Sequence, residues 1–173
     1  REQEKAMADD GQNIITLSED LVNRTLRQKI LSSPAGEYIT DYKVAFSQEC
    51  IYLDLKLSIK TLGALTAKYK IEVVDFVFKP SKRMLIADYI EDVSSDGSPT
   101  QSMMLKMIGL KGGTFLQIAA GMANLPGVKA DAKSCSVDLE QLIKPKGDLA
   151  SMLMLEYLDS RNGALKFSYQ LVL

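Results

Sequence analysis

Two long segments of the chain alternate apolar and polar residues, which is the pattern of strands with one buried and one wet face. In residues 51–59 the alternation is strict, with Ile or Leu at every odd position. In residues 65–78 it shifts by one position after Val73, because the apolar positions are then Phe76 and Phe78. A phase change of this kind predicts a β-bulge, which bends the strand that contains it.

Further strands are predicted outside these two segments. The alternation recurs at residues 42–46 and 165–173, and residues 84–93, 128–139 and 152–158 are also interpreted as strands, with residues 14–17 as a short extended entry. Asn162-Gly163, between the last two strands of the chain, is a pair typical of a tight hairpin turn. The polar residues 47–49 are interpreted as a turn or bulge. The sequence therefore predicts a mainly antiparallel sheet.

A helix is predicted at residues 19–31, where the apolar residues recur at helical spacing. Ser18 precedes it as a candidate N-cap. Glu19 and Asp20 fall in the first turn, where carboxylates interact favourably with the helix dipole. The sequence therefore predicts an amphipathic helix with one buried face.

The most apolar run, residues 100–125, does not alternate and is predicted to be helical. Capping residues at 98–100 precede it, Pro126-Gly127 ends it, and a glycine pair at 112–113 predicts a break or kink. A helix that is apolar on nearly all sides must be wrapped by protein or set in a membrane. The second half is too short to span a bilayer, so we expect other parts of the chain to wrap the helix.

These elements predict an α+β fold in which a long, highly curved antiparallel sheet wraps around the apolar helix at residues 100–125. The amphipathic helix at residues 19–31 supports it. A strand of about eleven residues spans roughly 36 Å and a helix of about 25 residues roughly 38 Å, so the lengths agree. Residues 1–13 are predicted to be a flexible leader, and residues 14–173 a single domain.

The amino-acid composition excludes several classes of function, although it says little about the fold. The 173 residues include no His, so the commonest general base and the commonest metal ligand are both missing. The net charge is −1, and the lysines and arginines are scattered along the sequence. The sequence therefore predicts no basic patch that would attract nucleic acid. We expect a protein that is not an enzyme, with no cofactor, no metal site and no nucleic-acid partner.

Other candidate groups have simpler interpretations. Ser-Lys pairs occur at positions 81–82 and at 102 and 106, but their surroundings favour turn or cap roles over catalysis. Carboxylate pairs at 19–20 and 91–92 are interpreted as solvated. Cys50 and Cys135 are either two small buried thiols or a single disulfide, which would require an oxidising compartment. Neither belongs to a CxxC motif, which argues against redox catalysis and zinc.

The methionines suggest a binding surface, because four of the eight lie in the central apolar run. Methionine is flexible and suits surfaces that adapt to irregular apolar guests. One interpretation is plain core filling, and the other is a groove between helix and sheet that holds an acyl chain. The predicted ligand-binding residues are Met103, Met104, Met107, Ile108, Phe115, Leu116, Met122, Phe76 and Phe78.

The order of these elements matches a known pattern. The phrase Leu-Ser-Glu-Asp-Leu-Val-Asn-Arg-Thr-Leu opens the first helix, long alternating strands follow, the apolar helix ends in Leu-Pro-Gly, and the last hairpin contains Asn-Gly-Ala-Leu-Lys-Phe. Over residues 14–173 the chain resembles bacterial envelope proteins related to the tubular lipid-binding (TULIP) superfamily, which includes bactericidal permeability-increasing protein. The resemblance implies a highly curved sheet around a long helix, an apolar interior open to lipid, and no catalytic residues.

We therefore predict non-enzymatic binding or transport of a lipid or another apolar ligand in the cell envelope, with a membrane surface or a protein as a further partner. The alternative is a ligand-free structural or assembly module of an envelope protein complex, which an exposed apolar patch or an unpaired sheet edge would favour. We expect a periplasmic or membrane-anchored protein whose targeting segment is not in this chain, as in a lipoprotein.

Overall fold

Antiparallel β-structure dominates the computed structural model, which describes residues 13–60, 62–110, 113–122, 127–142 and 151–172. The strands are β1 (Asn13–Ser18), β2 (Ile39–Ser47), β3 (Cys50–Ile59), β4 (Gly63–Lys79), β5 (Lys82–Ser95), β6 (Val128–Ala130), β7 (Ser134–Asp138), β8 (Leu153–Arg161) and β9 (Ala164–Leu171). The helices are α1 (Leu21–Thr25, wound as a π-helix), α2 (Arg27–Leu31), α3 (Pro99–Leu110), α4 (Phe115–Met122) and α5 (Leu139–Leu142), with a 3-10 turn at Pro34–Glu37.

The strands form one sheet that branches at β4. Its main order is β1-β9-β8-β4-β5-β7-β6, and the β2-β3 hairpin joins β4 as a side branch. Strand β5 pairs with β4 along most of one edge. The other edge is shared, because β3 pairs with the first half of β4 and β8 meets it where Leu155 lies opposite Phe78. The branch separates two hairpins, β2-β3 and β8-β9.

The tips of these two hairpins are hydrogen-bonded to each other. The Glu49 amide donates to the Ser160 carbonyl at 3.1 Å, and the Gly163 amide donates to the Phe46 carbonyl at 2.8 Å. The Ser160 hydroxyl donates to the Ser47 carbonyl at 2.5 Å. Gly163 has a φ of +85°, which confirms the predicted Asn-Gly turn, since glycine adopts such a φ without a steric cost.

The N-terminal helical segment covers the edge of β2. The Asn23 side chain imitates a neighbouring strand: its Nδ2 donates to the Val44 carbonyl at 2.8 Å, and its Oδ1 accepts the Val44 amide at 2.8 Å. The Tyr42 hydroxyl donates to the Val22 carbonyl. A covered edge cannot recruit another strand, so this contact protects β2 from edge-to-edge association.

Several local predictions are confirmed. The register of β4 against β5 shifts between Val73 and Asp75, where the bulge was predicted. The Ser18 hydroxyl accepts the Leu21 amide at 3.1 Å, as an N-cap does. The helix predicted at residues 19–31 is present as two short pieces, α1 and α2.

The outer face of the sheet carries charges of alternating sign. In register across β2, β3, β4 and β5 lie Lys43, Asp54, Lys68 and Asp92, all of them exposed. Opposite charges on neighbouring strands stabilise a sheet, whereas like charges would repel. These four charged residues identify the solvent-exposed face of the sheet that the alternation predicted.

The inner face holds two core clusters. The first lies under α4, and Leu105 of α3 also packs against it; it consists of Leu57, Leu62, Leu65, Ala67, Tyr69, Tyr89 and Phe115. The second lies between α1, α2 and the β9 hairpin; it consists of Tyr42, Val44, Phe46 and Leu165. Each helical segment therefore covers one part of the sheet.

The predicted fold class, a highly curved α+β sheet wrapped around a long apolar helix, is wrong. The sheet is not strongly curled around any helix. The described part of the run at residues 100–125 contains two short helices, since α3 ends at Leu110 and α4 begins at Phe115. Residues 113 and 114 between them are not helical, which agrees with the predicted interruption, and residues 111–112 lie outside the described part of the chain.

The predicted leader, residues 1–13, falls almost entirely outside the described residues; of these only Asn13 is described, and it begins β1.

Candidate functional site

An apolar groove of about 440 Å³ lies between helix α4, the inner face of β3, β4 and β5, and the 3-10 turn. Small-molecule sites usually have volumes of about 300–1,000 Å³, so the groove is large enough for a ligand. The main walls are Leu53, Leu55, Leu57 and Ile59 from β3, Phe115, Leu116, Ile118 and Ala119 from α4, and Tyr69, Ile71 and Tyr89 from β4 and β5.

Strand β3 forms the longest wall because its odd-numbered residues all point to the inner face. Leu53, Leu55 and Ile59 are only half-buried, although each is a large aliphatic side chain. Their open surface faces the groove. The strict alternation in the sequence therefore produces a continuous apolar strip, and α4 covers only part of it.

Helix α4 is held in place at its N-terminus by two sets of hydrogen bonds. Thr114 and Gln117 form a capping box: the Thr114 hydroxyl accepts the Gln117 amide at 3.2 Å, and the Gln117 side chain accepts the Thr114 amide at 2.8 Å. The Glu91 carboxylate, from β5, accepts the amides of Phe115 at 2.7 Å and Leu116 at 2.9 Å. A carboxylate there also interacts favourably with the helix dipole.

Glu91 was interpreted from the sequence as solvated, and that interpretation is wrong. Besides the two amides of α4, its carboxylate accepts the Tyr69 hydroxyl at 2.8 Å. The neighbouring Tyr89 hydroxyl donates to the Asp131 carbonyl and lies 2.6 Å from the Thr114 hydroxyl. One end of the groove is therefore lined by two tyrosine rings whose hydroxyls already have hydrogen-bond partners.

Both tyrosines stay protonated at neutral pH. Burial, followed by the charge of Glu91, raises the pKa of Tyr69 well above its usual value of about 10. Burial also raises the pKa of Tyr89. The two hydroxyls therefore act as neutral structural donors.

The cysteines are two free thiols, which agrees with the first of the two interpretations above. Cys50 is buried at the start of β3, and Cys135 lines the groove from β7. Burial raises the pKa of the Cys135 thiol. A thiol that stays protonated is a poor nucleophile, so Cys135 contributes apolar surface.

Lys60 is the charged residue of the groove. Among the described residues that line it, no other side chain is ionised at neutral pH, and the ammonium forms no ion pair with any of them. It directly follows β3 and is exposed. The alternation placed it among the polar positions and gave no reason to assign it to a site.

The predicted binding residues are not all brought together. Phe115 and Leu116 line the groove. The side chains of Met103, Met104 and Met107 instead lie on α3 with exposed fractions of 66%, 40% and 53%. The side chains of Ile108 and Met122 lie outside the described part of the structure.

Phe76 and Phe78 lie at the far end of β4 and do not contribute to the described groove lining. Their rings stack with centroids 6.1 Å apart, and Phe76 packs against Phe167 with centroids 5.4 Å apart. They join β4 to the β8-β9 hairpin, which is a structural role.

No family model, no curated protein and no solved structure matches this chain. The resemblance to the TULIP superfamily therefore stays a prediction, and the wrapped fold that it implies is not observed. No helix in the described ranges is long and apolar enough to cross a bilayer. The same ranges contain no group of three or more His, Cys, Asp or Glu side chains that could hold a metal ion.

Proposed function

We propose that the protein binds a lipid or another apolar ligand in the groove between α4 and the sheet, without catalysing a reaction. The observation that carries the proposal is the groove itself, with a volume of about 440 Å³ and a lining that is almost entirely aliphatic and aromatic. Apolar surface gains about 25 cal/mol for each Å² removed from water, so an apolar ligand would be stabilised there. The cell envelope as the location rests on the sequence resemblance alone.

The chemistry of the groove supports a non-enzymatic role. The two tyrosine hydroxyls and the Cys135 thiol are neutral, because burial raises the pKa of each. The sequence contains no His that could act as a general base. These groups can orient a ligand by contact but are poorly suited to proton transfer.

Filling the groove tests the proposal. Ala119 lines the groove on α4, so Ala119→Trp should occupy the ligand volume and weaken binding of the neutral probe N-phenyl-1-naphthylamine by about tenfold or more. Fluorescence titration measures the affinity, and native mass spectrometry shows whether lipid from a cell extract stays bound.

Ala120→Trp is the matched control, because Ala120 is the next residue of the same helix and is not among the described lining residues. It should bind the probe as the wild type does. Equal binding by the wild type and Ala119→Trp, or no uptake of probe and lipid by the wild type, would refute the proposal.

A second candidate function is assembly with another copy of the chain, and one observation favours it. Helix α3 exposes Met103, Met104 and Met107 within a single turn and a half, and its described part carries no carboxylate. Exposed apolar patches often mark protein interfaces. The patch lies on α3, whereas the groove lies beside α4, so the two candidate functions use different surfaces.

Replacing the exposed methionines of α3 tests self-assembly separately from ligand binding in the groove. The double variant Met103→Gln, Met107→Gln should abolish concentration-dependent self-association in sedimentation equilibrium, while stability changes by less than about 0.5 kcal/mol. Ile90→Gln is the control, since Ile90 is equally exposed but lies on β5. A wild-type protein that remains monomeric at the highest attainable concentration would contradict self-assembly through α3.

A further inference from the structure

The two ends of the groove differ in charge, and from this difference we infer that the ligand is a long-chain fatty acid whose carboxylate binds Lys60. The inference rests on the proposed function, because it names the ligand class of the same groove. Its tail would lie along β3 toward Tyr69 and Tyr89.

The length of the groove suits an extended chain. Its wall extends from Leu53 of β3 to Lys60, which directly follows that strand, and seven residues at 3.3 Å each span about 23 Å. The hydrocarbon core of a bilayer is about 30 Å thick, so the acyl chains of one leaflet span about 15 Å. An acyl chain can therefore lie along the strip with its head group at one end.

The volume is sufficient for one long acyl chain. A methylene group is similar in size to a water molecule, which occupies about 30 Å³ in the liquid. A groove of about 440 Å³ therefore has room for about 15 such groups, which is enough for one long fatty acid.

The tyrosine end is unsuited to an anion. The Tyr69 hydroxyl already donates to Glu91, and the Tyr89 hydroxyl already donates to the Asp131 carbonyl. The Glu91 carboxylate, directly behind Tyr69, would repel a second carboxylate. An apolar chain end is therefore favoured at this end.

The Lys60 end is suited to an anion. An ammonium group has three donors, and that of Lys60 forms no ion pair within the described residues. Lys60 is the one described lining residue that is charged at neutral pH, and it lies at the end away from Glu91. Both charges therefore favour an anionic head group at the Lys60 end and an apolar tail toward the tyrosines.

Displacement of N-phenyl-1-naphthylamine at low salt tests the inference with palmitate and 1-hexadecanol, which have the same chain length but differ in charge. The wild type should bind palmitate about threefold to fivefold more tightly, the effect expected of one solvent-exposed ion pair. Lys60→Met should lose this preference while keeping its affinity for 1-hexadecanol, and Lys60→Arg should retain it. High salt should remove it in the wild type.

Lys68→Met is the control for net charge, because Lys68 is exposed on the outer face of β4. It should keep the preference for palmitate. Equal affinities of the wild type for palmitate and 1-hexadecanol, or a preference for palmitate that survives in Lys60→Met, would overturn the inference and leave the proposed function standing.

Tighter binding of palmitoyl lysophosphatidate than of palmitate would overturn the assignment of a carboxylate and indicate a phosphate head group instead. Failure of every probe to bind would instead refute the proposed function.

Discussion

Replacing Leu65 with alanine is expected to lower the free energy of unfolding by about 3–5 kcal/mol, which is the upper part of the range for truncating a buried leucine. The Leu65 side chain is 0% exposed. It lies on β4 between Leu57 of β3 and Ser95 of β5, so strands on both edges hold the backbone in place. The site cannot collapse, and the cavity adds to the lost burial of the side chain.

Urea unfolding measures the change, with Leu171→Ala as the matched control. Leu171 is 48% exposed at the end of β9, so its truncation should cost less than about 1 kcal/mol. Similar losses for the two variants would show that the centre of the core does not lie under the first half of β4.

The strands were predictable because alternation is a local property of the chain. Residues 51–59 form β3 with the expected face inward, and the phase change after Val73 marks a real bulge. The partners of β4 were not predictable in this way. Phe78 lies opposite Leu155 across a long sequence separation, and no local pattern records that pairing.

The predicted wrapping of the sheet around a central helix is wrong because the helix is much shorter than the strands. Strand β4 has 17 residues and spans about 56 Å, whereas α4 has 8 residues and spans about 12 Å. A helix of that length covers one part of the sheet, and the long strands cannot curl around it along their whole length. Apolar composition predicted that residues 100–125 would be buried; it could not predict that tertiary packing leaves Met103 and Met107 exposed.

The groove was predicted only in outline. Phe115 and Leu116 were identified because they lie in the apolar run, while Lys60 and Glu91 looked like ordinary surface charges. The Thr-x-x-Gln capping box at residues 114–117 was a signal for the true start of α4. The role of Glu91 depends on contacts across the fold, which no spacing in the sequence encodes.

Replacing Glu91 with glutamine is expected to lower the free energy of unfolding by about 2–3 kcal/mol at neutral pH. The carboxylate accepts three hydrogen bonds, from the amides of Phe115 and Leu116 and from the Tyr69 hydroxyl. Glutamine keeps one acceptor oxygen and turns an NH₂ group toward the remaining donors. Hydrogen bonds to a charged group contribute about 1.5–3 kcal/mol each, a figure reduced here because Glu91 is half-buried. Glu156→Gln, on the exposed surface of β8, should change stability by less than about 0.5 kcal/mol.

Stability measurements at alkaline pH test whether the charge of Glu91, and not only its packing, acts on Tyr69. Burial, and then the Glu91 charge, raise the pKa of Tyr69 in the folded protein, whereas an unfolded tyrosine titrates near 10. Above about pH 10 the unfolded state therefore loses this proton first, and the stability of the wild type falls as the pH rises. Glu91→Gln removes the charge and the hydrogen bond of Glu91 but not the burial, so the pKa of Tyr69 stays raised in the variant, by less than in the wild type. The two proteins should therefore lose stability in parallel until the pH passes the folded-state pKa of Tyr69 in the variant, and above that pH the difference between them should narrow. A difference that stays constant even where Tyr69 of the variant ionises in the folded state would mean that the Glu91 charge does not act on Tyr69, and that the loss at neutral pH comes from the helix amides alone.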